Sequence, residues 1–181
     1  MNLAARRSAL ILGAATALLG GAAPPPSPRQ ADVERAIFEY CPKLIAGTMS
    51  LEDPATLAAI GYVATERRKI EGGTDPRAVR GTGTDQTVLS AGGAEKGGTC
   101  GVWFGETDAK RLATLFGQVR SRAKAEKFKG GKMLKLGDGT PMFLYERGGA
   151  KPVTLVFFVA DAGGELDYSP AMTAVMMAKS K

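Results

Sequence analysis

Two cysteines, Cys41 and Cys100, place the strongest constraint on how this chain can fold. After Asp32, which can cap a helix, Val33, Ile37, Phe38, Cys41, Leu44 and Ile45 recur at helical steps. Cys41 therefore lies on an apolar stripe, and Pro42 predicts a kink or split just behind it. Thr99 to Gly105 reads as a strand. Alternation puts Cys100, Val102 and Phe104 on one face, and Gly101, Trp103 and Gly105 on the other. Both cysteines fall on faces expected to be buried. The simplest outcome is a bridge that pins the first helix to the cysteine face of the strand. Closing so long a loop is worth roughly 4 kcal/mol by chain entropy.

The bridge fits the start of the chain. Arg6 and Arg7 precede a short alanine- and leucine-rich run, and Gly20-Gly21-Ala22 supplies small residues for cleavage. Residues 1–22 read as a signal peptide, so the protein is expected to be periplasmic or secreted. An ordinary secretory leader fits better than a twin-arginine one. The apolar run is shorter than the roughly 20 residues of a membrane span. Residues 23–30, with Pro24, Pro25, Pro26 and Pro28, read as an extended spacer. Residues 31–181 are left as a single α+β domain, with no internal repeat visible.

The chain carries 24 Lys and Arg against 18 Asp and Glu, and Arg6 and Arg7 belong to the leader, so the remainder holds about +4. That is modestly basic and well short of a nucleic-acid footprint. Histidine is absent, which excludes Ser-His-Asp, Cys-His and His-ligated metal chemistry.

Asp53-Pro54 announces a second helix, through Leu57 and Ile60 to a stop at Gly61. Tyr62 to Ile70 has strand character broken by Arg67, Arg68 and Lys69. Gly72 to Gly98 is rich in glycine, threonine and charge and reads as a surface excursion whose only strand is Thr87 to Ser90. Behind the cysteine strand, Thr107 is the expected cap of the most amphipathic helix, with Ala109, Leu112, Ala113, Phe116, Val119 and Ala123 as its apolar stripe. Strands then follow at Met133–Leu136, Thr140–Glu146 and Val153–Val159. The last is so apolar that both its faces should be buried. Ser169-Pro170 opens a terminal segment, Met172 to Ala178, for which helix is favoured over strand. The expected fold is α+β: an antiparallel sheet of about five strands with helices on one face and one disulfide.

No assembled catalytic set or metal site emerges, and no cofactor is expected. Ser121-Arg122-Ala123-Lys124 matches a Ser-x-x-Lys pattern without its partner motifs and is read as chance. Arg120, Arg122, Lys124, Lys127, Lys129, Lys132 and Lys135 form a basic run, mostly a solvated surface. Met172, Met176 and Met177 would cluster on a helix, where Cu(I) binding competes with simple packing. Trp103, between two glycines, could stack against a sugar or an aromatic side chain. The order of a helix with Cys followed by Pro, a short helix ending in Gly-Tyr, and a strand with Cys100 before an amphipathic helix resembles small uncharacterised periplasmic bacterial proteins. The resemblance spans Val33 to Leu115. It implies the compartment and the bridge, and no activity.

The leading reading is a non-enzymatic envelope protein that binds a protein or an anionic cell-wall polymer, with Trp103, Lys127, Lys129 and Lys132 as its surface. Neither nucleic acid nor a membrane span after leader removal is expected. The alternatives are a small hydrolase using Asp161, Glu165 or Asp167 on cell-wall material, and a Cu(I) or redox handler.

Overall fold

A computed structural model describes residues 28–70, 73–82, 86–92, 98–105, 108–135, 141–150, 152–158 and 172–178. The leader, most of the proline-rich spacer, Thr107 and the acids Asp161, Glu165 and Asp167 lie outside these residues. The described chain is α+β, with one disulfide.

The first helix is irregular near Pro42, but ahead of Cys41 rather than behind it. It runs as α1 (Pro28–Arg35), a widened π-type turn (Ala36–Tyr40) and α2 (Cys41–Ile45). Proline lacks an N–H and crowds the carbonyl four residues back, so the wider turn just ahead of it accommodates the ring. Of the expected stripe, Val33, Ile37, Cys41 and Leu44 are buried, joined by Ala36, while Phe38 and Ile45 are only partly so. Next comes α3 (Pro54–Ile60), where the Asp53 carboxylate accepts from the N–H groups of Ala55 and Thr56. Then follow β1 (Val63–Ile70), β2 (Gly73–Arg80), β3 (Thr87–Gly92), β4 (Thr99–Phe104), α4 (Ala109–Ala125), β5 (Lys129–Lys135), β6 (Pro141–Arg147), β7 (Val153–Phe158) and β8 (Met172–Ala178).

The sheet has eight strands in the order β1-β2-β3-β4-β8-β7-β6-β5, all antiparallel. About five were expected, and two errors account for most of the difference. The stretch read as an excursion contains β2 as well as β3. Charged and polar residues and Pro76 hid β2, whose only apolar residues besides Pro76 are Ala78 and Val79. Pro76 is tolerated opposite an irregularity: between the pairs Thr65–Arg77 and Arg68–Asp75, β1 carries two residues against its one. The terminal segment is strand rather than helix. Lying between β4 and β7, it pairs its backbone on both sides, which outweighs the helical preference of alanine and methionine.

The element order repeats. A helical stretch leads into the β1–β4 meander, and α4 leads into β5–β8. The halves meet at β4 and β8. All the helices that reach the core lie on one face. There α1, α2 and α4 cover Leu89, Cys100, Val102, Phe104, Tyr145, Leu155, Phe157 and Met176. Cys41 and Cys100 are bonded, with Cα atoms 5.3 Å apart across 59 residues of sequence. Asp32 on α1 adds an ion pair to Arg80 on β2 at 2.9 Å. Beside it the Tyr62 phenol is held well above its usual range, first by burial and then by the Asp32 charge.

The second half is fastened by aromatic packing. Phe116 on α4 sits edge-on to Phe143 and Phe157, and Arg120 Nε donates to the Tyr145 hydroxyl at 3.0 Å. The α4 cap is Asp108 rather than Thr107; its carboxylate accepts from Lys110 and Arg111 N–H groups. The buried stripe is rotated from the expected one. Leu115, Val119 and Ala123 are buried, Leu112 and Phe116 partly so, and Ala113 is exposed.

Replacing both cysteines by alanine should lower unfolding free energy by about 4 kcal/mol in a denaturant titration. A loss under about 1 kcal/mol would contradict a bridge that restrains the unfolded chain. The caps predict an acid limb. Hydrogen bonds from the Thr56 hydroxyl and Ala55 N–H hold Asp53 below its ordinary 3.8, and those from Arg111 and Lys110 N–H do the same for Asp108. Groups depressed on folding stabilise above their unfolded value, and that contribution fades as pH falls below about 4. Asparagine caps without titrating. The double variant Asp53→Asn, Asp108→Asn should therefore show a flatter stability–pH curve below pH 4; an unchanged curve would refute the assignment.

Candidate interaction surface

With its helices on one side, the sheet leaves its other face without a helix among the described residues. Register identifies what stands there. One row crosses all eight strands: Val63, Val79, Val88, Trp103, Thr173, Phe158, Met142 and Leu134. Only Thr173 is polar. The next row reads Thr65, Arg77, Ser90, Gly101, Val175, Val156, Leu144 and Lys132. Val63 is 68 % exposed, Val79, Trp103, Phe158, Met142 and Leu134 are partly buried, and Val88 and Val156 are buried yet outside the helix-side core. The row is apolar in type, and Val63 is its one large hydrophobic among the exposed ones.

Trp103 lies on this face, as alternation along β4 requires. Lys129 and Lys132 join it, although three residues apart on a regular strand they would face opposite ways. A bulge reverses the parity. Lys129 pairs with Glu146 and Lys132 with Leu144, so one extra residue sits between them. The bulge is made by Gly130 and Gly131, at φ 113° and 90°. A Cβ on Gly130 would come 2.8 Å from the Leu144 carbonyl oxygen, so side chains are excluded there. Lys127 is the exception to the expected set. It stands in the turn between α4 and β5, exposed, at φ 63°. Trp103 and Lys132 are separated by four strand spacings, roughly 19 Å. They share a face, but they do not form one compact pocket.

The rest of the basic run disperses. Arg120 is engaged by Tyr145, Arg122 pairs with Glu126 at 3.0 Å, and Lys135 pairs in register with Pro141 on the helix side. The Ser121 hydroxyl of the Ser-x-x-Lys match donates to the Gly117 carbonyl, and Lys124 is exposed. The methionine trio is not helical. On β8 Met176 is buried in the core. Bonding of Cys41 to Cys100 removes the free-thiol form of the redox reading. Among the described residues no three Cys, Asp or Glu side chains come together, and no helix is long and apolar enough to cross a membrane.

Sequence reasoning missed Val63, Val79, Val88, Arg77, Met142, Leu144 and Phe158. A signal existed: β6 and β7 are apolar on both faces, yet the helices available can cover only one.

Both sheet edges resist strand addition. β1 and β5 each carry an irregularity, and lysines punctuate β5. The face is therefore the better candidate surface. No family model, curated protein or solved structure matches this chain.

Replacing Gly130 by alanine should cost more than about 1 kcal/mol, because alanine is strained at this φ. Denaturant unfolding checks it; wild-type stability would show that the bulge does not need glycine.

Proposed function

We propose that this protein binds an acidic protein partner on the sheet face opposite its helices and works outside the cytoplasm. The observation that carries the reading is the apolar row from Val63 to Leu134 on the face opposite the helices. Eight strands span roughly 34 Å and six-residue strands about 20 Å, giving an area on the order of 700 Å². A stable protein interface takes about 800 Å² from each partner. That match in size favours a folded partner over a small ligand.

Charge complementarity supports the acidic character. Lys129 and Lys132 stand at the β5 end of the face and Arg77 near the other, beside Glu146 and Asp75, and without the leader the chain is about +4. The apolar row also favours a protein over an anionic polymer, which would need a continuous cationic track. Support for export comes from the leader-like residues 1–22 and from the disulfide, a bond of oxidising compartments. The hydrolase alternative rests on Asp161, Glu165 and Asp167, which lie outside the described residues.

Photo-crosslinking side chains placed at Val79 and Phe158 in the host should join one acidic protein, and the same group at Lys110 on α4 should not. With that partner purified, Trp103→Ala should weaken affinity about 30-fold, some 2 kcal/mol, as for a buried aromatic anchor. Lys129→Glu with Lys132→Glu should weaken it further at low salt, and Lys110→Glu should not. Crosslinks confined to α4, or only between copies of the chain, would overturn the reading.

A further inference from the structure

The two halves match beyond their element order. At the helix end before β1, the Gly61 N–H donates to the Ala58 carbonyl and the Tyr62 N–H to the Leu57 carbonyl, at 3.2 and 3.0 Å. Before β5, the Lys127 N–H donates to the Lys124 carbonyl and the Phe128 N–H to the Ala123 carbonyl, at 3.0 and 2.9 Å. Gly61 and Lys127 both take positive φ, 72° and 63°. Leu57 and Tyr62 are buried, as are their counterparts Ala123 and Phe128. In each half the next residue opens the edge strand, and the strand beside it ends on an arginine that reaches back to this corner: Arg80 against Gly61, and Arg147 over the Phe128 ring at 4.6 Å. Each edge strand carries an irregularity. The buried pairs repeat as well: Ala78–Leu89 and Leu89–Val102 in the first half, Tyr145–Leu155 and Leu155–Met176 in the second. Most of these positions differ in residue type, so no repeat shows in the sequence.

We propose that the chain is two copies of one helix–meander unit in tandem, and that the β4–β8 joint is a protomer interface of dimer type: the partner that fits the β4 edge is another unit of this kind. The register carries the inference. Val102 pairs with Ala174, and its counterpart Met176 pairs with Cys100. Cys100 lies two residues before Val102, as Ala174 lies two before Met176, so the two strands meet in the same way about one axis. Reciprocal contact of this form defines an isologous interface. The fastenings agree with it. Cys41–Cys100 and Asp32–Arg80 lie within the first half, and Phe116–Phe157 and Arg120–Tyr145 within the second. Across the joint stand the ladder, core packing and Arg122 over the Phe38 ring at 6.0 Å. Hydrogen bonds, apolar packing and an arginine on an aromatic ring are also what separate chains use to associate.

The test cuts the full, oxidised chain at a protease site inserted after Gly105. Cys41 and Cys100 both stay in the first fragment, so no covalent link remains between the halves. The cut protein should keep its circular dichroism and elute at the mass of the intact chain. Mixed with isotope-labelled cut protein, it should trade halves, read by native mass spectrometry, with no loss of circular dichroism. A protease site at Gly148-Gly149, between β6 and β7, falls inside a unit, and fragments from that cut should trade at least tenfold more slowly. Unfolding on the first cut, or equal trading after the two cuts, would overturn the proposal. Should the insertion after Gly105 prevent folding, native-state hydrogen exchange of the unmodified protein decides. Amides of the β2–β3 and β6–β7 ladders should then open with two separate free energies, and one opening shared by both ladders would overturn it.

Discussion

Six residue pairs between β4 and β8, from Thr99–Met177 to Phe104–Met172, hold the two halves of this protein together. Without that ladder each half would be a four-stranded meander with one long apolar edge open. β4 is also where the other constraints meet. Its helix-side face carries Cys100, bonded to α2, and its opposite face carries Trp103. One strand thus fixes the joint, the helical layer and the candidate surface.

The halves cover the same side of the sheet by different means. The first relies on a broken helix, a disulfide and the Asp32–Arg80 pair. The second relies on a longer helix, an aromatic cluster of Phe116, Phe143, Tyr145 and Phe157, and Arg120 on the Tyr145 hydroxyl. A covalent clamp suits the half whose helices are short, since short helices bury little apolar area and hold weakly by packing alone. The same one-sided layering leaves the row from Val63 to Leu134 opposite the helices. The protein's stability and its proposed binding surface are two consequences of one arrangement.

Local chemistry was legible in the chain. The Asp53-Pro54 cap, the irregular helix near Pro42, the apolar β7 and the pairing of two cysteines on buried faces all depend on neighbours a few residues apart. Long-range pairing was not. β8 became strand because β4 and β7 flank it, a fact its alanines and methionines do not carry. β2 was hidden by its charged and polar residues and Pro76. The candidate surface was legible only at Trp103. Its other members are aligned by register across eight strands, and irregularities at Thr65/Arg68 and Gly130/Lys132 shift that register. Lys129 and Lys132 illustrate the limit: the residues were named correctly, but their shared face depends on an extra residue in β5.

The central claim is that the sheet face opposite the helices, at Trp103, meets a partner. The most direct measurement is acrylamide quenching of Trp103 emission in the isolated, oxidised protein, compared with the same protein unfolded. The account predicts ready quenching in the folded state, a substantial fraction of the unfolded value, because Trp103 is only partly buried. Quenching as weak as that of an enclosed core tryptophan would contradict it.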